Sequence, residues 1–254
     1  MVECLYRYSA PAMKAFLLAA GNGTRLRPIT DNVPKCLVPI QGVPMLAIWL
    51  RICRNLGIVE VLINLHAHAG AVLTFLQQSE QSGVRVRLVE EKQLLGSAGT
   101  LRANRDWVEG EDLFWVFYAD VLHCANLRAM LQSHRERRPA ATLGVYEVHD
   151  PSRCGIVTID SQGMIEDFVE KPAHPTGTLA FSGLMVGTPA LLDAIPDNVP
   201  ADIGFHVLPK LCGQMLAFPI RDYLIDVGTL KNYQKAQVTW SGLQDKSTNS
   251  GSHA

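Results

Sequence analysis

The feature that most constrains this chain is the alternation of short apolar runs with segments of helical period. Lys14–Ala19 is a brief apolar run that stops at a glycine loop, and Leu113–Ala119 is a second run without a charged residue. Runs this short and this apolar read as strands buried on both faces. Between and after them, Pro44–Leu56 (ending at Gly57), Ala69–Gln78 and Leu127–Arg137 read as helices, and Val59–Leu65 and Val84–Val89 as further strands. Such βαβα order predicts an α/β fold: a doubly wound, mostly parallel, Rossmann-like sheet with helices on both faces. After Pro139 the spacing tightens. Ala141–Val148, Gly155–Ile159 and Met164–Val169 are strand candidates, with turn signals at Asp150-Pro151 and Ser161-Gln162-Gly163. They predict a β-rich lobe over the sheet. Ile203–Leu211 and Leu230–Val238 read as helices, and Leu224–Val227 as one more strand.

The organisation expected is one α/β domain over residues 13–240, an irregular extension over 1–12 and a Ser/Gly/Asn-rich flexible tail over 241–254. Across 254 residues the net charge is -1, so general binding to nucleic acid or to an anionic membrane is not indicated. A polyanionic ligand would need a local cluster of Lys and Arg. The six cysteines form no C-x-x-C pair and mostly lie in apolar runs, which predicts reduced thiols and a cytoplasmic setting. No apolar run approaches the ~20 residues of a membrane span. His66 and His68 have no third ligand nearby and read as near-site or surface residues. Trp49, Trp107 and Trp115 read as core.

Five local patterns carry chemistry. Gly21-Asn22-Gly23-Thr24-Arg25 follows a strand, so backbone amides there can cradle phosphate and Arg25 adds a planar cation. Leu26 stands where a dinucleotide fingerprint wants glycine, which disfavours an oxidoreductase. Lys35, in Pro34-Lys35-Cys36-Leu37-Val38-Pro39, is a cation on a stiffened segment ten residues after Arg25. Asp120 follows the Leu113–Ala119 strand, where a carboxylate is well placed to hold Mg²⁺ against phosphates. Glu170-Lys171-Pro172 follows another strand. Asp226, in Ile225-Asp226-Val227-Gly228-Thr229, is either a second metal carboxylate or a turn aspartate.

In this order the five patterns resemble those of the sugar-1-phosphate nucleotidylyltransferases, over about residues 13–239. The resemblance implies a nucleoside triphosphate and a sugar 1-phosphate as substrates, and Mg²⁺ as cofactor. It implies that Gly21, Asn22, Gly23, Thr24 and Arg25 hold nucleotide phosphates and that Lys35 contacts the triphosphate. Arg25, Lys35 and Asp120 would be catalytic, with Asp120 and Asp226 on the metal. Lys171 would take the sugar phosphate, Glu170 the sugar hydroxyls, and Ser182-Gly183 would line the sugar pocket. Glu91 and Leu95-Gly96-Ser97-Ala98-Gly99 resemble the E-x-x-x-L-G-T-A-G stretch of mannose-1-phosphate guanylyltransferases, which places Gly96, Ser97 and Gly99 at the base and favours GTP. Asp202-Ile203-Gly204 points to the same branch. Heptose-1-phosphate guanylyl, uridylyl and thymidylyl relatives are the alternatives, and from another class an inactive homologue that senses nucleotide sugars. A homo-oligomer is compatible with this reading. Two positions depart from the family: Leu224 replaces a common tryptophan, and Phe181 an asparagine.

Overall fold

The computed structural model describes residues 13–66, 68–78 and 83–243. The expected extension over 1–12 and most of the expected tail lie outside them. In chain order the strands are β1 (Met13–Leu18), β2 (Pro39–Ile40), β3 (Val43–Pro44), β4 (Ile58–Leu65), β5 (Arg85–Glu90), β6 (Phe114–Tyr118), β7 (Val121–His123), β8 (Ala141–Glu147), β9 (Gly155–Ile159), β10 (Ile165–Glu170), β11 (Leu179–Gly187), β12 (Met215–Pro219) and β13 (Leu224–Asp226). The helices are α1 (Met45–Leu56), α2 (Ala69–Gln78), α3 (Ser97–Ala103), α4 (Leu127–Arg137), α5 (Pro189–Asp193), α6 (Ile203–His206) and α7 (Leu230–Thr239).

The fold is α/β, built on one nine-stranded mixed sheet. Strands β5, β4, β1 and β6 are parallel neighbours in that order. Beyond β6 the sheet continues through antiparallel β11, flanked by β8 and β9, with β10 and β12 outside them. The β-rich segment is therefore an extension of the same sheet, not a lobe lying over it. The reason is β11, a nine-residue strand that pairs with β8 through both halves, with β6 through its C-terminal half, and with β9 at Ala180.

The apolar runs are explained by coverage on both faces. On β1, Ala15 and Leu17 point into one core and Phe16 into the other; on β6, Trp115 and Phe117 oppose Phe114 and Val116. Helix α1 covers the first face, with Trp49 donating its indole N–H to the Ala119 carbonyl at 3.1 Å. Helix α3, with Leu101, covers the second. Trp49 and Trp115 are core as expected, and Trp107 packs edge-on against Phe16 at 5.0 Å. The helix expected over 203–211 is divided: α6 ends at His206 and a 3-10 turn follows over Leu208–Leu211. Pro209 lacks the N–H that would continue the α-helical ladder.

Burial in this core holds two histidines neutral. His123 accepts the Ala125 N–H on Nδ1 at 3.1 Å, its ring lies 5.2 Å from Trp49, and burial pushes its pKa down to about 4. His134, on α4 with Nδ1 at Thr142 Oγ1, is pushed down to about 4 by burial and by neighbouring Arg135. In both cases the unfolded chain binds the proton first. Stability is therefore expected to fall as pH drops from about 6.5 towards 4, by up to about 3 kcal/mol per group. Urea unfolding of wild type and His123→Gln between pH 7 and pH 4 checks this. The substitution should remove about one group's share of the slope.

Candidate active site

The cleft opens beyond the carboxyl ends of β1, β4 and β6. The chain leaves β1 towards β4 on one side and reaches β6 on the other, the usual place for a ligand in an open α/β sheet. The cavity is about 290 Å³. Its walls are Leu18–Gly21 at the end of β1, Lys35, Asn64 near the end of β4, Glu91 after β5, Gly96-Ser97, Tyr118–Asp120 at the end of β6, and Asp202.

One corner gathers the charged residues expected at the phosphates and metal. Lys35 sits in a 3-10 turn whose middle residue, Cys36, is buried, so the lysine is anchored at its root. Its Nζ pairs with Asp120 Oδ2. Asp226 lies beside Asp120, but through a route the sequence pattern did not indicate. β13 is not in the main sheet; it pairs antiparallel with β7, placing Asp226 opposite Val121, and Val227 N–H bonds the Asp120 carbonyl at 2.8 Å. Asp226 is open to solvent, yet partial desolvation at the cleft and the Asp120 charge raise its pKa, against the lowering effects of Lys35, the Gly228 N–H and Arg25. Arg25 is exposed on the 3-10 turn Thr24–Leu26, which buried Leu26 anchors, and its guanidinium reaches Gly228, where a Cβ would stand 3.2 Å from one terminal nitrogen. Gly21 lines the cleft. Asn22 and Thr24 are exposed beside it, and Gly23 is pinned by the Thr30 hydroxyl on its carbonyl at 2.7 Å.

The wall carrying Gly96 and Ser97 is braced from behind. Ala98 and Gly99 N–H groups both bond the Ala201 carbonyl, and Ala201 N–H bonds the Leu95 carbonyl. A Cβ at Gly96 would stand 2.3 Å from the Ala201 oxygen, so only glycine permits this approach. Ser97 Oγ donates to Asp202 Oδ2 at 3.0 Å and accepts the Ile203 N–H at 2.8 Å, while Asp202 caps α6. Neither Ser97 nor Thr100 caps α3, whose N-cap is Gly96. Gly99, expected at the base, is buried against Ala201 and Val199 and does not line the cleft. Tyr118 adds its hydroxyl at Ser97. Its pKa is raised by burial first, then by Asp202, Glu170 and Asp120 around it.

On the β-rich side, Glu170 ends β10. Its carboxylate is wedged where a Cβ on Gly204 would be 2.3 Å away and one on Gly155 2.6 Å away. Burial raises its pKa, with Lys171 opposing and Asp202 reinforcing the shift. Lys171 has a left-handed backbone (φ 49°). Its Nζ lies 3.4 Å from Glu170 Oε1 and 5.3 Å from the Phe205 ring centre. Ser182 is turned elsewhere. It is 4% exposed, with its hydroxyl taking the Leu184 N–H and lying against Gly144, so it does not line the cleft. Gly183 instead backs Tyr118, and Phe181 packs edge-on to Tyr118 at 6.0 Å. Asn64 is a cleft residue that motif reading missed. Its one signal is an amide in an otherwise apolar strand end.

A strand-end cleft holding a glycine loop, paired carboxylates and converging cations defines a class of nucleotide-handling α/β proteins. The chain belongs to the nucleotidyl transferase family, whose model matches residues 14–241. It is 31% identical over 244 residues to a protein of Oryza sativa subsp. japonica described as probable mannose-1-phosphate guanylyltransferase 2. That match covers 93% of this chain and 67% of the relative. It is also 31% identical to a UTP–glucose-1-phosphate uridylyltransferase of Synechocystis, over 88% of this chain and 62% of that protein. The chain thus spans about two thirds of the length of these relatives. Among solved structures, a putative glucose-1-phosphate thymidylyltransferase of Bacillus anthracis superposes with TM-score 0.79 at 25% identity, covering 89% of this chain and 94% of that one. HddC of Yersinia pseudotuberculosis shares the fold, with TM-score 0.75 at 24% identity over 89% and 98% of the two chains. Among the described residues no helix is long and apolar enough to cross a membrane, and Cys36, Cys53, Cys154 and Cys212 are free thiols.

Proposed function

We propose that this protein transfers a nucleoside monophosphate from a nucleoside triphosphate to a sugar 1-phosphate, with GTP and a mannose 1-phosphate-like sugar as the favoured pair. The observation that carries the reading is the convergence of Lys35, Arg25, Asp120 and Asp226 at the mouth of the glycine loop. The names of the guanylyl, uridylyl and thymidylyl relatives support the reaction class. The guanylyl preference rests on Glu91 with Leu95–Gly99 and on the rice relative.

In the reaction, a phosphate oxygen of the sugar 1-phosphate attacks the α-phosphorus. A new P–O bond forms, the bond to the β-phosphate bridging oxygen breaks, and pyrophosphate leaves with that electron pair. The nucleophile is already anionic near neutral pH, so positioning and charge do most of the work. Asp120 and Asp226 are the residues that would hold Mg²⁺. They fit it because the pairing of β13 with β7 sets the two carboxylates side by side, so added positive charge there relieves their repulsion. The bound ion would supply charge neutralisation at the triphosphate oxygens. The Gly21–Thr24 amides bind phosphate, Lys35 steadies the triphosphate and departing pyrophosphate, and Arg25 reaches the α-phosphate. Lys171 brings in the sugar phosphate, and Glu170 orients sugar hydroxyls.

Pyrophosphate release from GTP, ATP, UTP, CTP and dTTP, each crossed with several sugar 1-phosphates, tests the reading. Turnover with no pair would favour the inactive sensing homologue, and preference for UTP or dTTP would move the chain to those branches. The two lysines should fail differently. Lys35→Ala is expected to act on the triphosphate side, and Lys171→Ala to raise the sugar phosphate KM. Each loss should cost on the order of 1.5–3 kcal/mol. Steady-state kinetics with each substrate varied separates them, and a rise confined to triphosphate KM in both variants would refute the division.

A further inference from the structure

Glu91 has no part in the transfer chemistry, yet it is a cleft-lining carboxylate only 4% exposed. Oε1 accepts from Asn64 Nδ2 at 2.8 Å and from the Thr100 hydroxyl; Oε2 accepts the Leu95 N–H at 3.0 Å. Asn64, equally buried, accepts the Ala19 N–H on Oδ1 at 2.8 Å. Ala19 is the first residue after β1 and leads into the glycine loop, whereas Leu95 leads into Gly96-Ser97. One side-chain chain, Leu95–Glu91–Asn64–Ala19, thus joins two walls of the same cleft. The Glu91 N–H is itself held by the Leu65 carbonyl at 2.7 Å, which fixes the carboxylate's root to the end of β4.

We propose that Glu91 is a positioning residue that sets discrimination among bases. It holds the Leu95 end of the Gly96-Ser97 wall and keys it, through Asn64, to the loop that holds the phosphates. The proposal rests on the reading that Gly96-Ser97 meets the base. The residue type follows from the donors around it. Two N–H groups and one hydroxyl converge on two oxygens, and a carboxylate offers acceptors on both. Glutamine offers an acceptor on one side only, so in either orientation its NH₂ faces a donor. The wall then moves relative to the phosphates, which a base edge senses and a bare phosphate chain does not.

The experiment is calorimetric binding of GTP, UTP, dTTP and inorganic tripolyphosphate to wild type, Glu91→Gln and Thr100→Val. Circular dichroism and thermal melting confirm folding, and pyrophosphate release is measured in parallel. For Glu91→Gln, Kd for the preferred triphosphate should rise roughly 10- to 100-fold, as expected of a displaced binding group. The ratio between preferred and poorest triphosphate should collapse towards one, while tripolyphosphate affinity stays near wild type. Thr100→Val, which keeps the shape but removes the hydroxyl that donates to Glu91 and accepts from Asn64 Nδ2, should move the ratio the same way but less. It provides the reading if Glu91→Gln does not fold. Unchanged base ratios in the folded variants would overturn the proposal, as would tripolyphosphate affinity falling in step with nucleotide affinity. Absence of turnover by wild type with every substrate pair would remove the transfer reading instead, and the binding ratios would still decide this one.

Discussion

Arg25→Ala is expected to lower kcat by roughly 10²–10³, as when one preorganised donor to a developing anion is lost. Nucleotide affinity should change far less. The reason is division of labour within one loop. Backbone amides of Gly21–Thr24 can hold the resting triphosphate, whereas the Arg25 guanidinium is carried across to Gly228 and into the field of Asp226. A group placed there meets charge as it redistributes in displacement, and binding stronger in the transition state appears in kcat. Arg25→Lys keeps the charge but loses the planar fork, so it should not rescue turnover. Single-turnover rates and calorimetric nucleotide affinity separate the two effects. Wild-type kcat with weakened nucleotide binding would make Arg25 a clamp and nothing more.

Asp226→Asn should abolish most activity while leaving a more stable fold. Loss of the carboxylate proposed to hold Mg²⁺ is expected to cost on the order of 10²-fold or more in kcat/KM, the scale of several kcal/mol of charge stabilisation. Stability should move the other way in chelator-treated protein. Asp226 is open to solvent, but partial desolvation and the Asp120 charge beside it raise its pKa, so its ionised form costs folding energy above that pKa, a cost that solvent screening keeps small. The cost vanishes as pH falls and the group protonates. The variant should therefore melt higher than wild type near pH 7–8, with the gap closing towards acid. Asparagine keeps an oxygen for the Gly228 N–H that now bonds Asp226 Oδ1. Added Mg²⁺ should raise the wild-type midpoint and not the variant's. Equal melting of the two proteins at all pH values, with or without Mg²⁺, would remove the shared carboxylate site.

What sequence alone determined about this protein is whatever rests on short-range pattern. The runs that became β1 and β6 are apolar because both faces are covered, and that burial writes itself into consecutive residues. Helices α2 and α4 follow their 3.6-residue period with no shift in boundaries. The glycine loop, Lys35 and Asp120 were legible because strand ends and stiffened turns are local. What only the tertiary structure decided depends on partners distant in the chain. β13 is legible as a strand over Leu224–Val227, but its three-residue partner β7 is not, and neither sequence indicates that the two pair. That pairing, not a shared edge of the main sheet, sets Asp226 beside Asp120. Ser182 and Gly99 match a motif, but strand register and helix packing turn them away from the cleft. Glu91 and Asn64 lie 27 positions apart, and nothing in either neighbourhood indicates the other. A buried carboxylate requires its donors in place, and chain folding, not local pattern, brings them there.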